Sequence, residues 1–160
     1  MLDLSHNFLS GSLSLRSSST LQYLHLEENM FSGSIPKAFL NISKLLTLDI
    51  SNNRLSGNIP SAIDKALNLR ILLLRGNRMS GTIPTQLCQL IKINFMDLSR
   101  NFISGTIPHC FPHIIPKETL NFRLFLGIEF GSINIDIYEP FENCVQQDEA
   151  IFVTKHRLST

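Results

Sequence analysis

Cysteine is the most reactive side chain in this sequence, and the chain has three cysteines, Cys88, Cys110 and Cys144. An odd number leaves one thiol without a partner in the chain. The sequence separation of Cys88 and Cys110 is two positions shorter than the interval at which an asparagine recurs between Asn29 and Asn101. A disulfide between them is therefore allowed if their Cα atoms lie within about 7 Å. Two buried free thiols are the alternative, and Cys144 could instead pair with Cys110 or with sequence beyond this chain.

No other group of side chains forms a recognisable catalytic or metal site. His109, Cys110, His113 and Cys144 carry metal-ligating atoms, but their spacing matches no standard zinc pattern and Pro112 breaks the local geometry. There is no Ser/His/Asp order with a nucleophile turn and no phosphate-binding loop. We therefore predict that the protein is not an enzyme and has no metal ligands and no cofactor.

An asparagine recurs at one constant interval, at Asn29, Asn53, Asn77 and Asn101, and Asn7 precedes the first of them by an interval two positions shorter. Apolar residues surround each asparagine at fixed offsets, followed in most repeats by Ser-Gly and Ile-Pro. A fixed period of about two dozen residues indicates a solenoid of stacked turns, here called rungs, instead of a single-core globule. Because an amide side chain both donates and accepts, we expect the five asparagines to bind backbone groups in a structural ladder.

Each rung contributes a short strand, as residues 48–51 illustrate. Leu48 and Ile50 alternate with Asp49 and Ser51, which predicts two apolar side chains inward and two polar side chains outward. Stacked rungs then place these strands in a curved parallel sheet on the concave face. Five of the 8 glycines fall in the Ser-Gly position and four of the 7 prolines in the Ile-Pro position. We therefore expect irregular or 3-10 segments on the convex side.

The sequence divides at residue 111. Residues 1–111 hold about five repeats, of which the first is degenerate and incomplete, and carry 10 basic and 6 acidic residues. Residues 112–160 show no repeat and carry 4 basic and 7 acidic residues. Alternating apolar residues predict strands near 133–137 and 151–154, and more weakly within 119–130. We expect a repeat segment followed by a truncated non-repeat segment.

Composition excludes several classes of protein. The net charge of +1 does not indicate the excess of basic residues that is typical of nucleic-acid-binding proteins. No run of about 18 apolar residues is present, so we expect no part of this chain to span a membrane. The sequence starts inside a rung, without a signal peptide and without a terminal cap. We expect it to be a piece of a longer protein and to be poorly stable alone.

The skeleton LxxLxLxxNxLSGxIP, present in repeats two to five with conservative apolar exchanges, resembles the plant-specific class of leucine-rich repeats. Residues 87–111, LCQLIKINFMDLSRNFISGTIPHCF, resemble the last repeats before the non-repeat island of plant receptor-like proteins. Residues 150–157, AIFVTKHR, resemble the end of that island. The basic stretch of this island segment is Lys155, His156 and Arg157.

This resemblance implies a fragment of a cell-surface receptor for defence or developmental signalling. Its ligand would be a peptide, a glycan or a protein, with a co-receptor kinase as a further partner. The parent protein would lie at the plasma membrane, with these repeats on the extracellular side. In such receptors more repeats, an acidic spacer, one membrane helix and a short tail follow, and we expect membrane attachment only through segments absent from this chain.

Three outward positions in each rung form columns across the predicted sheet. Asp and Ser are the usual residues of the first two columns, so departures from them, and nearby aromatic or basic side chains, are candidates for binding. The candidates are Tyr23, His25, Glu27, Glu28, Leu73, Arg75, Phe95 and Arg100. The alternative is a solvated face with scattered apolar residues, which is common.

One glycosylation sequon is present, Asn41-Ile42-Ser43, and its asparagine stands midway between Asn29 and Asn53 in the sequence. That position lies away from the predicted concave sheet, so a glycan on Asn41 would leave the candidate binding face free. The alternative is a chance occurrence of the tripeptide.

Two other hypotheses stay open. A cell-wall protein resembling polygalacturonase inhibitors would use the same repeats, but such inhibitors have no island, so residues 150–157 argue against this hypothesis. A truncated product without independent function is the other, because five rungs without caps leave both ends of the core and its strand edges open.

Overall fold

The computed structural model describes residues 1–14 and 20–110, together with four short strands of backbone at 123–125, 129–130, 133–134 and 151–153. Cys144, His113, Phe111 and the basic stretch Lys155, His156 and Arg157 lie outside the described residues. Expectations that fall on them stay predictions.

The first sheet contains one strand from each rung. Its strands are β1 (Leu2–Asp3), β3 (Tyr23–His25), β5 (Thr47–Asp49), β7 (Ile71–Leu73), β9 (Phe95–Asp97) and β11 (Arg123–Phe125), in that order. Every neighbouring pair is parallel, and from β3 to β9 the register advances by one full repeat per strand. The repeat therefore aligns identical positions of successive rungs across the sheet.

A second sheet, which the sequence did not predict, lies on the return path of each rung. It contains β2 (Ser10–Ser12), β4 (Met30–Gly33), β6 (Arg54–Gly57), β8 (Arg78–Gly81), β10 (Phe102–Thr106) and β14 (Ile151–Val153). The strands are parallel except β14, which is antiparallel to β10. The glycine of each Ser-Gly position has a positive φ, from +81° to +104°, so glycine is favoured there.

Short helical turns follow three of the four Ile-Pro positions, those of Pro36, Pro60 and Pro84. A four-residue α-helix, α1, spans Lys37–Leu40, and 3-10 helices span Ser61–Lys65 and Thr85–Gln89. The residue before each helix is a proline with φ between −66° and −71°. Proline suits this place because its ring fixes φ and the missing N–H is not needed at a helix start.

The core fills the space between the two sheets. Leu24, Leu48, Leu72 and Met96 of the first sheet are at most 1% exposed. Leu55, Met79 and Ile103 of the second sheet are buried in the same cluster, together with Phe39, Ile63 and Leu87 of the helical turns. The structure is thus a leucine-rich repeat solenoid with its first sheet on the concave face.

Beyond residue 111, the described backbone adds to both sheets. Strand β11 pairs with β9 as Arg123↔Phe95, Leu124↔Met96 and Phe125↔Asp97, so it occupies the place of a further rung. Strands β12 (Glu129–Phe130) and β13 (Ile133–Asn134) form a separate antiparallel pair. The expected strands near 133–137, 151–154 and within 119–130 therefore each have a counterpart, shorter than expected.

Candidate recognition face on the first sheet

The asparagine ladder fixes the end of each strand of the first sheet. Asn53 Nδ2 donates to the carbonyls of Ile50 and Ser51 in its own rung, at 3.2 and 3.0 Å, and to that of Leu26 in the preceding rung at 2.9 Å. Its Oδ1 accepts from the Phe31 N–H at 3.0 Å.

The same pattern recurs at the other asparagines that have a preceding rung. These are Asn29, Asn77 and Asn101. Asn7 is exposed, and its side-chain amide donates only within its own rung, to the carbonyls of Leu4 and Ser5. These side chains hold the backbone that presents the candidate residues.

The residue before each ladder asparagine has a left-handed backbone, which the sequence did not predict. The φ angles lie between +50° and +67° at this position of all five rungs. These residues are His6, Glu28, Asn52, Gly76 and Arg100. Gly76, Asn52 and His6 are residue types that adopt this conformation more readily, but Glu28 and Arg100 are not, so at those two positions the turn imposes it. Glu28 and Arg100 are exposed there, and Asn52 Nδ2 donates to Glu28 Oε1 at 2.7 Å.

In rungs one and three, which carry the usual residues, the outward Asp accepts hydrogen bonds from both the N–H and the hydroxyl of the outward Ser. Asp49 Oδ1 accepts from the backbone N–H of Ser51 at 3.0 Å and from its hydroxyl at 2.6 Å. Asp3 and Ser5 do the same in the first rung. These hydrogen bonds from Ser5, first from its hydroxyl, lower the pKa of Asp3. Asp49 and Ser51 are only 8% and 9% exposed, so these outward positions are more covered than alternation alone predicts.

The second rung replaces that pair with His25 and Glu27. His25 Nδ1 lies 3.7 Å from Glu27 Oε2, and both side chains are partly exposed, at 29% and 20%. His25 is in register with Asp49 of the next strand. Together with the exposed Glu28, this part of the sheet is rich in carboxylates.

The fourth rung replaces the pair with Leu73 and Arg75. Arg75 Nη1 lies 3.7 Å from Asp97 Oδ2 of the fifth rung, and the Arg75 side chain is 40% exposed. Leu73 is half-buried and lies in register between Asp49 and Asp97.

The register separates the two candidate aromatic residues. Tyr23, Thr47, Ile71 and Phe95 occupy one column of successive strands. Tyr23 is 39% exposed and stands three strands from Phe95, about 14 Å away at the usual strand spacing. Ile71 lies beside Phe95 and on the same strand as Leu73, so these three half-buried residues form an apolar patch. Ile71 was not among the sequence candidates, although the outward column through Tyr23 and Phe95 could have identified it.

The candidates therefore fall into two groups. We call rungs two and three the acidic zone, defined by His25, Glu27, Glu28 and Asp49. We call rungs four and five the basic-apolar zone, defined by Ile71, Leu73, Arg75, Phe95 and Arg100. Tyr23 lies beside the acidic zone, on the strand of His25.

The other predicted sites lie off this face. Cys88 and Cys110 form a disulfide with their Cα atoms 5.9 Å apart. Asn41 directly follows α1 and is exposed, as glycosylation would require. His109 is also exposed and follows the last described strand of the repeats, next to the disulfide.

Comparison with known families decides the identity of the repeats. Two leucine-rich repeat models match the sequence, one described as Leucine rich repeat over residues 19–79 and one as Leucine Rich Repeat over residues 92–114. The chain belongs to the leucine-rich repeat family. No curated protein sequence matches it significantly.

Several solved structures similar to this leucine-rich repeat chain are plant receptors. One is described as the plant peptide hormone receptor RGFR1 in complex with RGF2, with 32% identity, a TM-score of 0.68 and coverage of 78% of this chain. Another is the Arabidopsis receptor kinase HAESA with the peptide hormone IDA and the co-receptor SERK1, with 32% identity, a TM-score of 0.66 and coverage of 77%. The chain spans only 20% and 21% of those two proteins.

A shorter relative is matched over more of its length. The BIR3–SERK2 complex from Arabidopsis thaliana is 36% identical, with a TM-score of 0.64 and coverage of 70% of this chain and 61% of the relative. The repeats are therefore of the plant receptor type. In the part of the chain that the structure describes, no helix has both the length and the apolar character needed to cross a bilayer.

Proposed function

We propose that the concave sheet of this leucine-rich repeat chain binds an extracellular peptide or protein as part of a plant cell-surface receptor, without catalysis. The observation that carries the proposal is the exchange of the Asp-x-Ser pair in rungs two and four. Asp49 and Ser51 satisfy each other inside one rung. Rungs two and four instead carry His25 with Glu27 and Leu73 with Arg75. These side chains differ from the Asp-x-Ser pair, and the fold does not need them.

The two zones define the chemistry of the ligand. The basic-apolar zone fits an apolar side chain next to a carboxylate, since Arg75 and Arg100 flank Leu73 and Phe95. The acidic zone fits a basic group. Because rungs are stacked at about 4.8 Å, a ligand crossing from rung two to rung five spans about 14 Å, or four to five extended residues. A short extended peptide with a basic end and an apolar, acidic end meets this description.

Further partners follow from the same proposal. The HAESA and BIR3 structures contain the co-receptor SERK1 and the protein SERK2. We extend the proposal to a co-receptor kinase as a second partner, and to the plasma membrane as the location of the parent protein. The signal would serve defence or development, and a glycan ligand is the competing outcome of the test below.

The test is selection of binders from a random library of dodecapeptides, followed by affinity measurements on the enriched peptides. Leu73→Asp and Arg75→Glu should each weaken binding at least tenfold, while the fold persists by circular dichroism. Arg78→Glu is the matched control, because Arg78 is exposed in the same repeat but lies on the second sheet. Failure to enrich any peptide, or equal losses in Arg78→Glu, would overturn the proposal. Enrichment on a glycan array alone would favour the glycan.

A further inference from the structure

We propose that His25, Glu27 and Asp49 form a binding site for a divalent transition-metal ion such as Zn²⁺. One ligand atom from each of the three side chains lies within 4.8 Å of the other two. The three come from two rungs, since Asp49 on β5 is the register partner of His25 on β3. Cation binding is measured without any peptide, so its failure leaves the proposed recognition function intact.

An unsatisfied carboxylate oxygen points to a missing partner. Glu27 Oε2 is buried and has no hydrogen-bond partner among the described residues. His25 Nδ1 lies 3.7 Å from this oxygen, which is too far for a hydrogen bond. A buried acceptor without a donor costs free energy. A cation between the three side chains would remove that cost by coordinating this oxygen directly.

Asp49 is already oriented for such a role. Its Oδ1 accepts two hydrogen bonds from Ser51, which fix the carboxylate, and the residue is only 8% exposed. Hydrogen bonds of this kind to a ligating carboxylate orient it and support metal affinity. Asp97, the equivalent residue in rung five, faces Arg75 instead of a histidine. The combination of imidazole and two carboxylates arises in rung two because the usual Asp-x-Ser is His25-x-Glu27 there.

The donor set selects the class of metal. One imidazole nitrogen and two carboxylate oxygens suit Zn²⁺ and similar ions, whereas Ca²⁺ takes six to eight oxygen ligands. With bonds of about 2.0–2.2 Å, tetrahedral ligand atoms lie about 3.3 Å apart, so the side chains must close in slightly. His25 and Glu27 are partly exposed and can rotate to do so. A fourth position stays open toward the concave face for water or a ligand group.

The test is isothermal titration of the full chain with ZnCl₂, with folding monitored by thermal unfolding. The wild-type chain should bind one Zn²⁺ at this site, and His25→Ala, Glu27→Gln and Asp49→Asn should each weaken that binding at least tenfold. Asp3→Asn is the matched control, since Asp3 flanks His25 in register on the other side but is not in the group of three. It should change affinity less than threefold.

Comparing variants in one background cancels any Zn²⁺ bound by other histidines or by Cys144. A second readout is the NMR spectrum of the His25 ring, which should shift on addition of Zn²⁺ in the wild type and in Asp3→Asn. If Asp49→Asn destabilises the fold, Glu27→Gln, at a partly exposed position, decides the question. Unchanged Zn²⁺ affinity in His25→Ala and Glu27→Gln, or no shift of the His25 ring, would overturn the proposal.

Discussion

Arg75 reaches from the fourth rung to Asp97 in the fifth, with Nη1 3.7 Å from Oδ2. Asp97 Oδ1 accepts from the Ser99 N–H at 2.9 Å. The Ser99 hydroxyl is buried without a hydrogen-bond partner in the described residues, whereas the Ser51 hydroxyl donates to Asp49. An arginine in the serine position of one rung therefore coincides with an altered hydrogen-bond pattern in the next.

The Arg75–Asp97 pair should contribute little to folding. A double-mutant cycle with Arg75→Ala and Asp97→Asn should give a coupling energy below about 1 kcal/mol, because partly exposed ion pairs are screened by solvent. Asparagine is chosen because it keeps an acceptor for the Ser99 N–H. Urea unfolding measures the free energies. A coupling energy well above that value would mean that Arg75 is structural, which would weaken its assignment to ligand binding.

Asn77→Ala should destabilise the solenoid by about 3 kcal/mol or more, because its removal leaves several buried backbone groups unsatisfied, at roughly 1–3 kcal/mol each. Asn77 is 1% exposed and donates to the carbonyls of Ile50 and Leu74, while its Oδ1 accepts from the Leu55 N–H. Asn7→Ala is the control, because Asn7 is exposed, and its loss should be below about 1 kcal/mol, the usual net value of one hydrogen bond. Urea unfolding measures both variants, and equal losses would contradict the ladder.

Gly76→Ala should destabilise by more than Gly11→Ala. Both glycines have positive φ, +67° and +93°, so alanine is strained at either position. A Cβ at Gly76 would also collide with Asn52 Oδ1, whereas a Cβ at Gly11 would meet nothing within 4 Å. The double variant Gly76→Ala, Asn52→Ala should recover part of the loss. Thermal and urea unfolding provide the comparison, and purely additive effects would show that the collision is unimportant.

Ser5→Ala should raise the pKa of Asp3 toward its ordinary value, because the Ser5 hydroxyl is the main cause of the lowered pKa. The Ser5 N–H remains as a donor, so the rise should be incomplete. A carboxyl whose pKa is lowered by folding favours the folded state above its ordinary pKa. That contribution is lost as the pH falls through the lowered pKa. NMR titration of the Asp3 side chain measures the change, and an unchanged pKa would contradict the assigned cause.

Reduction of the Cys88–Cys110 disulfide should lower the free energy of unfolding by about 2–4 kcal/mol, since it closes a loop with a sequence separation of 22. Urea unfolding of Cys88→Ser with Cys110→Ser, compared with the wild type, gives the number. Cys144→Ser is the control for loss of a thiol alone. If the double variant unfolds like the wild type, the bridge does not constrain the unfolded chain.

The period of the sequence predicted the first sheet and the core, because inward leucines recur at the same offsets in every rung. It did not predict the second sheet. Ser10–Ser12, for example, has no apolar alternation, and that strand forms because stacking brings its backbone groups into register with Met30–Gly33. Strand assignment from side chains has no signal in such a segment.

The candidate site was only partly predictable. His25, Glu27, Leu73 and Arg75 were identified because they differ from the Asp and Ser that the other rungs carry at the same positions. The grouping of His25 with Asp49 was not predicted, because the two ligating side chains belong to different rungs and meet only through the register. The left-handed turn was equally hidden, since Glu28 and Arg100 carry no residue-type signature of a positive φ.

The asparagines all reach in one direction. Asn29, Asn53, Asn77 and Asn101 each bind a carbonyl and an N–H of the rung before them. The stack of rungs is therefore directional, because the asparagine of each rung satisfies backbone groups of the rung before it. Removal of the N-terminal rung exposes an asparagine side chain, which water readily solvates. Removal of the C-terminal rung instead takes away the asparagine that bonds to the backbone of the preceding rung. Under mechanical tension or attack by a protease, the solenoid should therefore unfold preferentially from its C-terminal rung.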